Sequence, residues 1–460
     1  MSLIKSISGI RGTIGGKVDE NLTPIDAVKF AAAYGSWLKG QSGKEHVKVV
    51  IGRDARISGE MIQNLVQYTL IGLGIDVVNI GLSTTPTVEV AVPLEKADGG
   101  IILTASHNPK EWNALKLLNN KGEFISDQDG KAILKIAQEN DFSFATVDHL
   151  GKLTDYNRYI DLHIEEVLAL PLVTAEAIQK KKFRVVVDAV NSTGGIAIPR
   201  LLERLGVEVV KLYCEPNGHF PHNPEPLKEH LGDICKRVVE EKADFGIVVD
   251  PDVDRLAFIT DKGEMFGEEY TLVACADYVL GKAKGNVVSN LSSSRALRDI
   301  AQKHGVSYSA AAVGEVNVVT EMKRVEAIIG GEGNGGIIYP ELHYGRDALV
   351  GVALFLSLLA ERGGSVQQLR ESYPAYFMSK NKIQLTEQIN PDQILKAMEQ
   401  KYAHEQTTTI DGLKIDFADS WVHLRKSNTE PIIRIYTEAK SQKEADALAH
   451  RFIEEMQALI

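Results

Sequence analysis

Gly99-Gly100-Ile101-Ile102-Leu103 runs straight into Thr104-Ala105-Ser106-His107-Asn108-Pro109. The glycine-bounded apolar run predicts a buried strand. Polar residues follow at once. Asn108-Pro109 then marks a turn, because proline fixes its own φ and turns the residue before it away from helix. A serine hydroxyl thus sits on a sharp bend at a core strand's end, beside a histidine. Such a place holds a nucleophile rigidly and leaves it open to a cleft. Read alone, the stretch serves a plainer purpose equally well: Ser106 bonding backbone groups in a tight turn, with His107 on the surface.

A second stretch repeats the pattern. Gly246-Ile247-Val248-Val249 is an apolar strand that opens into Asp250-Pro251-Asp252-Val253-Asp254-Arg255. Three aspartates fall at i, i+2 and i+4, and in extended chain alternate side chains share a face. Three converged carboxylates repel one another, so a hard divalent ion such as Mg²⁺ is expected among them. The plain alternative is a solvated acidic loop. A calcium EF-hand is excluded, since its glycine and glutamate positions hold Arg255 and Asp261. A phosphatase with Asp250 as nucleophile in an Asp-x-Asp motif remains a rival.

Working outward, the same unit recurs. Val47–Ile51 is a strand leading to Gly52-Arg53-Asp54; a helix runs from Ser58-Gly59 to about Gly72, and Val77–Ile80 is the next strand. Arg184–Asp188, the Ser192-Thr193-Gly194-Gly195 loop, a helix to Leu205-Gly206 and Val207–Val210 form a second copy. Asn286–Asn290, Ser292–Ser294, a helix to His304-Gly305 and Val306–Tyr308 form a third. Three such units predict three related α/β domains. Upstream, Thr23 caps a helix with Pro24 in its first position, running through Lys39. Past about residue 375, short alternating strands such as Leu413–Phe417 and Ile432–Tyr436, then a helix from Lys443, predict a smaller α+β domain with an antiparallel sheet.

The 460 residues exceed one ordinary core. A net charge of −11 argues against nucleic acid or an anionic membrane as partner. Cys214, Cys235 and Cys275 are scattered, odd in number and without CxxC spacing, as expected in a reducing cytosol. No export signal is visible, and the cytoplasm is the expected location. The apolar run Ala348–Ala360 is too short to span a bilayer and reads as a buried helix.

Two further loops carry polar clusters. Gly330-Gly331-Glu332-Gly333-Asn334-Gly335-Gly336 lies between apolar runs. Its glycines admit close backbone approach, and Glu332 and Asn334 suit neighbouring sugar hydroxyls. A glycine-rich hairpin turn accounts for it as well. Arg425-Lys426-Ser427-Asn428-Thr429-Glu430-Pro431, with Arg434 beyond it, offers cations, hydroxyls and an amide for a phosphate, or simply a solvated basic turn.

Together these four loops, in this order and at domain-sized spacing, resemble the α-D-phosphohexomutases over the whole chain. The resemblance is strongest to the phosphoglucosamine mutase and phosphomannomutase/phosphoglucomutase branch. It implies an α/β fold of three similar mixed α/β domains (1–152, 153–257 and 258–372) and a smaller C-terminal α+β domain (373–460) around one central cleft. It further implies that Ser106 is a phosphoserine and that Asp250, Asp252 and Asp254, with a phosphoserine oxygen, hold Mg²⁺. Hexose 1-phosphate and 6-phosphate would interconvert through a hexose 1,6-bisphosphate, which also primes the enzyme. Lys116 takes the place of the family's acid–base lysine. Arg11, in Gly9-Ile10-Arg11-Gly12, matches an arginine near the reacting phosphate. Arg255 would touch the phosphoryl group, and His107 is either catalytic or structural. Gly331, Glu332 and Asn334 would hold the sugar; Arg425, Ser427, Asn428, Thr429 and Arg434 would hold the other phosphate.

Three departures stand out. Asn113-Ala114 replaces the usual Asn-Gly before the lysine. Asn334 and Gly336 stand where many members have serine and histidine. A third-domain lysine is replaced around Ala312-Val313-Gly314, for which Tyr344-Gly345-Arg346-Asp347 is the candidate compensation. The expected substrate is glucosamine phosphate, ahead of glucose or mannose phosphate, and the expected assembly a monomer or homodimer. A sugar-phosphate-binding protein without turnover is the non-enzymatic alternative.

Overall fold

The computed structural model describes residues 2–6, 9–386, 389–427 and 431–459. The chain forms two compact units. One comprises the residues up to Val279 together with Asn334–Gln367; the other comprises Leu280–Gly333 and the residues from Gln368 onward.

In the first unit, strand Gly99–Leu103 lies inside a seven-stranded sheet, parallel to Val47–Arg53 on one side and antiparallel to Trp112–Leu118 on the other. All five of its residues are buried, as a continuous apolar run between two neighbours requires. Helix Gly59–Gly72 returns the chain from Val47–Arg53 to the parallel strand Ile75–Leu82. The helix Pro24–Ser42 opens on Thr23, whose side chain accepts from the Asp26 N–H while Asp26 reaches back to the Thr23 N–H. This reciprocal cap satisfies two of the donors a helix start leaves open.

A four-stranded sheet in the same unit repeats the plan. Arg184–Asp188 pairs in parallel with Glu208–Leu212 across helix Gly194–Arg204, and in parallel with Phe245–Val249 on its other side. Phe245–Val249 then turns back antiparallel into Leu256–Ile259. The helix Ala348–Arg362 is buried from Ala348 through Ala360, confirming it as a core helix. Its Phe355 stacks on Phe258 with ring centroids 3.7 Å apart, while Phe245 and Phe266 meet Phe355 edge-on. That aromatic knot fixes the strands on both sides of the aspartate loop.

In the second unit, Asn286–Asn290 runs parallel to Tyr308–Ala311 and to Ala327–Glu332, with helix Ala296–His304 between the first two. The strand expected at Val306–Tyr308 begins only at Tyr308, because Val306 closes the preceding helix end by donating to the Ala301 carbonyl. The tail forms the expected antiparallel sheet. It has five strands in the order Phe377–Gln384, Ile432–Ala439, Trp421–Lys426, Leu413–Asp416, Gln406–Thr408. Helix Gln442–Gln457 follows, burying Ala445, Ala449, Phe452 and Met456.

The repeats share one functional feature. Gly99–Leu103, Phe245–Val249 and Ala327–Glu332 each lie parallel to the first strand of their own repeat. Each leads, at its carboxyl end, into one of the first three polar loops. Ligands of α/β sheets bind at such strand ends.

Candidate active site

Ser106 follows the sheet's central strand and has φ of 48°. A left-handed serine costs roughly 1–2 kcal/mol, so its surroundings must hold it there. They do so through Arg56, which is 1% exposed. Its guanidinium donates to the carbonyls of Ser106, Asn108, Pro109 and Trp112, and its Nε donates to Asp54 at 3.0 Å. Asp54 also accepts from the Thr104 hydroxyl at 2.7 Å, and Thr104 Oγ1 accepts from the Ser106 N–H at 2.9 Å. A buried Asp–Arg pair with every donor used thus shapes the bend. Sequence reading passed over this pair. Gly52-Arg53-Asp54 was visible as a strand end, but Arg56 reaches a loop fifty residues away, a contact that only the sheet order reveals.

Ser106 Oγ donates to Asp250 Oδ2 at 2.8 Å. Asp250, Asp252 and Asp254 are fully buried, and their ligand oxygens lie within 4.8 Å of one another. The convergence is as expected, but its cause is different. Residues 250–255 are not extended: they form the turn of a hairpin closed by the Val249–Leu256 pair, and Val253 has φ of 65°. A β-branched residue there is a true outlier. The loop is secured by Thr85, whose N–H donates to the Asp252 carbonyl at 2.8 Å and whose hydroxyl donates to Asp252 Oδ2 at 2.6 Å. The Ser192 and Thr193 hydroxyls donate to the Pro251 carbonyl.

Cations gather on this loop. Lys116 Nζ donates to Asp252 Oδ2 at 2.7 Å and lies 3.5 Å from Asp254 Oδ2. Arg346 Nη2 donates to Asp254 Oδ2 at 2.7 Å. Burial pulls the Lys116 ammonium down, but the Asp252 and Asp254 charges outweigh it and hold its pKa above the ordinary lysine value. Burial, then the charges of Asp252 and Asp254, push the Asp250 carboxyl well above the usual carboxylate range. Among the described residues, Asp252 Oδ1 and Asp254 Oδ1 are buried without a hydrogen-bond partner. Two orphaned buried oxygens beside a third carboxylate are what a hard, oxygen-seeking ion such as Mg²⁺ requires.

The other expected residues of this unit are close by. Arg11 donates to Asn108 Oδ1 at 3.3 Å, and its pKa is lowered by burial and by Arg255. Arg255 pairs with Glu225 at 3.0 Å, and its N–H donates to Asp250 Oδ1 at 3.1 Å. His107 Nδ1 is 3.4 Å from Ser106 Oγ, and burial followed by the Arg255 charge pushes its pKa well below 6.5. Asn334 belongs to this unit as well, its Oδ1 accepting from the Gly336 N–H at 3.2 Å.

In the second unit, Glu332 is buried at the end of its strand. Its Oε1 accepts from Asn290 Nδ2 at 2.8 Å and from the Gly314 N–H at 3.0 Å. Gly331 precedes it in the same strand. Arg425 forms an ion pair with Asp411 at 2.8 Å, and Asp411 Oδ2 accepts from the Val313 N–H at 3.0 Å. Asp411 therefore ties the tail-domain arginine to the segment beside Gly314 that also holds Glu332. Arg434 lies directly opposite Arg425 in the sheet, and the Ser427 N–H donates to the Ile432 carbonyl at 3.0 Å. Asn428 and Thr429 lie outside the described residues.

Comparison with known proteins is consistent along the whole chain. Four family models of phosphoglucomutase/phosphomannomutase match in order: α/β/α domain I at residues 3–144, domain II at 158–263, domain III at 267–376 and the C-terminal domain at 382–455. A phosphoglucomutase/phosphomannomutase of Thermococcus kodakarensis is 36% identical, covering 94% of this chain and 95% of its own. A phosphoglucosamine/phosphogalactosamine mutase of Sulfurisphaera tokodaii is 31% identical, covering 98% of each. The crystal structure of a phosphoglucomutase/phosphomannomutase family protein of Burkholderia thailandensis superposes with a TM-score of 0.85 at 26% identity, covering 99% of this chain and 98% of the other. With the four domain types in sequence and relatives of matching length, the chain belongs to the α-D-phosphohexomutase superfamily and is a phosphohexomutase, an isomerase that acts by phosphoryl transfer.

Proposed function

We propose that this phosphohexomutase acts on glucosamine phosphate, exchanging the 6-phosphate and 1-phosphate through phosphoserine 106 and a hexose 1,6-bisphosphate. The observation that carries the reading is the 2.8 Å hydrogen bond from Ser106 Oγ to the buried acidic triad. It puts the hydroxyl against the carboxylates fitted to hold Mg²⁺. The ion, when bound, supplies charge stabilisation for the transferred phosphoryl group.

The chain's own residues take the remaining roles. The Ser106 oxygen forms the bond to phosphorus and breaks it again. Lys116, kept protonated by Asp252 and Asp254, would relay one proton in each half-reaction, giving it to the oxygen that leaves phosphorus and taking one from the hydroxyl whose oxygen receives the phosphoryl group. Arg11 and Arg255 supply positive charge on the serine's side. Glu332 and Asn334 would bind sugar hydroxyls, with Gly331 admitting the sugar closely. Arg425, Ser427, Asn428, Thr429 and Arg434 would bind the phosphate that does not react. The bisphosphate must turn over between half-reactions, so the sugar and distal-phosphate groups have to accept both orientations. We assign the phosphoserine loop to a domain at 1–152, the metal-binding loop to 153–257, the sugar-binding loop to 258–372 and the distal-phosphate loop to 373–460.

The aspartate-nucleophile reading fares worse. One Asp250 oxygen already accepts from Ser106 and the other from the Arg255 N–H. The Sulfurisphaera relative supports glucosamine phosphate, the Thermococcus relative glucose and mannose phosphates. The test is the purified protein with Mg²⁺ and a hexose 1,6-bisphosphate, offered the 1-phosphates of glucosamine, glucose and mannose. Glucosamine 1-phosphate is expected to give the highest kcat/KM; a higher value for either other sugar would overturn the substrate.

A further inference from the structure

Gly336 and Arg346 share one space. A Cβ on Gly336 would lie 2.3 Å from Arg346 Cδ and 3.0 Å from its Cγ. The arginine stem therefore fills the volume that a side chain at residue 336 would take. The backbone explains why. Ile338 and Arg346 form an antiparallel bridge, and the Asp347 N–H donates to the Ile337 carbonyl at 2.8 Å. Residues two apart share a face, so Arg346 leans diagonally over Gly336. From there its guanidinium reaches Asp254 Oδ2 at 2.7 Å.

The position of Arg346 is fixed from both ends. Asp347 caps the buried helix Ala348–Arg362, accepting from the Leu349 N–H at 2.7 Å, and its other oxygen meets His163 Nε2 at 2.9 Å and His343 Nε2 at 3.2 Å. The Ala348 N–H donates to the Val253 carbonyl at 3.1 Å, fastening this segment to the turn between Asp252 and Asp254. Arg346 thus does for Asp254 what Lys116 and Thr85 do for Asp252: it occupies one carboxylate oxygen and leaves the other, Oδ1, turned away from it.

We propose that Arg346 is a further positioning residue of the reacting centre, and that Gly336 and Arg346 work as a pair in which the missing side chain of one admits the other to Asp254. This rests on the reading of the aspartates as the Mg²⁺ site. It also gives a physical reason for the glycine in a loop where many superfamily members carry histidine. A side chain at 336 and an arginine at 346 exclude each other.

Two readouts test the pair: steady-state kinetics, and Mg²⁺ titration of the substrate-free protein by calorimetry and by its thermal midpoint. Arg346→Gln is expected to lower kcat by about tenfold or more, the usual effect of removing a group that orients a metal ligand, with a smaller change in the KM for the sugar phosphate. Arg346→Lys, which keeps the charge, is expected to recover part of the loss. Gly336→Ala should push the guanidinium from Asp254. It should therefore move the half-saturating Mg²⁺ concentration in the same direction as Arg346→Gln, and the double variant should be no worse than the more affected single variant. Unchanged kcat and Mg²⁺ titration in Arg346→Gln would overturn the proposal, as would effects of the two substitutions that simply add. If the unaltered chain bound no Mg²⁺ or showed no mutase turnover, the reading of the site itself would have failed instead.

Discussion

Two clusters in the first unit each gather three side chains whose ligand atoms lie within 4.8 Å: Asp250, Asp252 and Asp254, all buried, and His163, His343 and Asp347, of which His343 is partly exposed. In the second cluster the acids and imidazoles face one another, through hydrogen bonds at Asp347 and an ion pair at Glu89. His163 Nε2 meets Asp347 and its Nδ1 meets the Thr87 hydroxyl at 3.0 Å; His343 sits between Asp347 and Glu89 at 3.2 and 3.3 Å; both Asp347 oxygens are engaged. In the first cluster three carboxylates share Lys116, Arg346 and the Ser106 hydroxyl, and two oxygens have no partner among the described residues. Similar donor sets at similar spacing therefore mean different things. A cluster that sets imidazoles against its carboxylates balances its own charge and is a structural lock, whereas three carboxylates that keep two buried acceptors open are prepared for an ion.

The contrast can be broken by substitution. The largest effect is expected for Asp254→Asn, which removes a charge the open cluster needs. Mutase activity should fall by about 10²-fold or more. The rise in thermal midpoint produced by Mg²⁺ should disappear with it, because an ion stabilises only the state that binds it. An Mg²⁺ shift that survives in Asp254→Asn would remove the distinction between the two clusters.

A smaller effect is expected at the closed cluster. Burial pulls the His343 imidazole down, but Asp347 and Glu89 more than offset it and raise its pKa to about 10. A histidine raised in this way stabilises the fold fully below its unfolded value near 6.5 and loses that contribution as pH climbs through about 10. His343→Gln should then cost roughly 1.5–3 kcal/mol at pH 7 and much less near pH 10. Urea unfolding at the two pH values checks this. Parallel stability profiles for the variant and the unaltered chain would show that the lock is not charged, and added Mg²⁺ should not alter the difference.

The parts legible in sequence were those with local causes. The apolar runs ending at Leu103 and Val249, the Thr23-Pro24 helix start and the alternation at Ile432–Tyr436 all rest on neighbours in the chain, and each element formed where expected. Ser106 and the three aspartates were visible because each sits at the end of such a run. The reason for the aspartates' convergence was not, since alternation suggested extended chain and the residues instead occupy a strained turn at Val253. Arg56, Thr85 and Glu225 escaped notice because the loops they hold lie 30 or more residues away in the chain. Arg346 stood out in sequence only as a candidate compensation, and its contact with Asp254 depends on a glycine ten residues before it.

The most direct measurement follows the phosphoryl group. The purified chain, charged with a hexose 1,6-bisphosphate and digested for mass spectrometry, should carry one phosphoryl group on Ser106 and pass it to added hexose monophosphate. Ser106→Ala should carry none and convert no sugar. Conversion by Ser106→Ala at the rate of the unaltered chain, or a phosphoryl group found on Asp250 instead, would contradict the account at its centre.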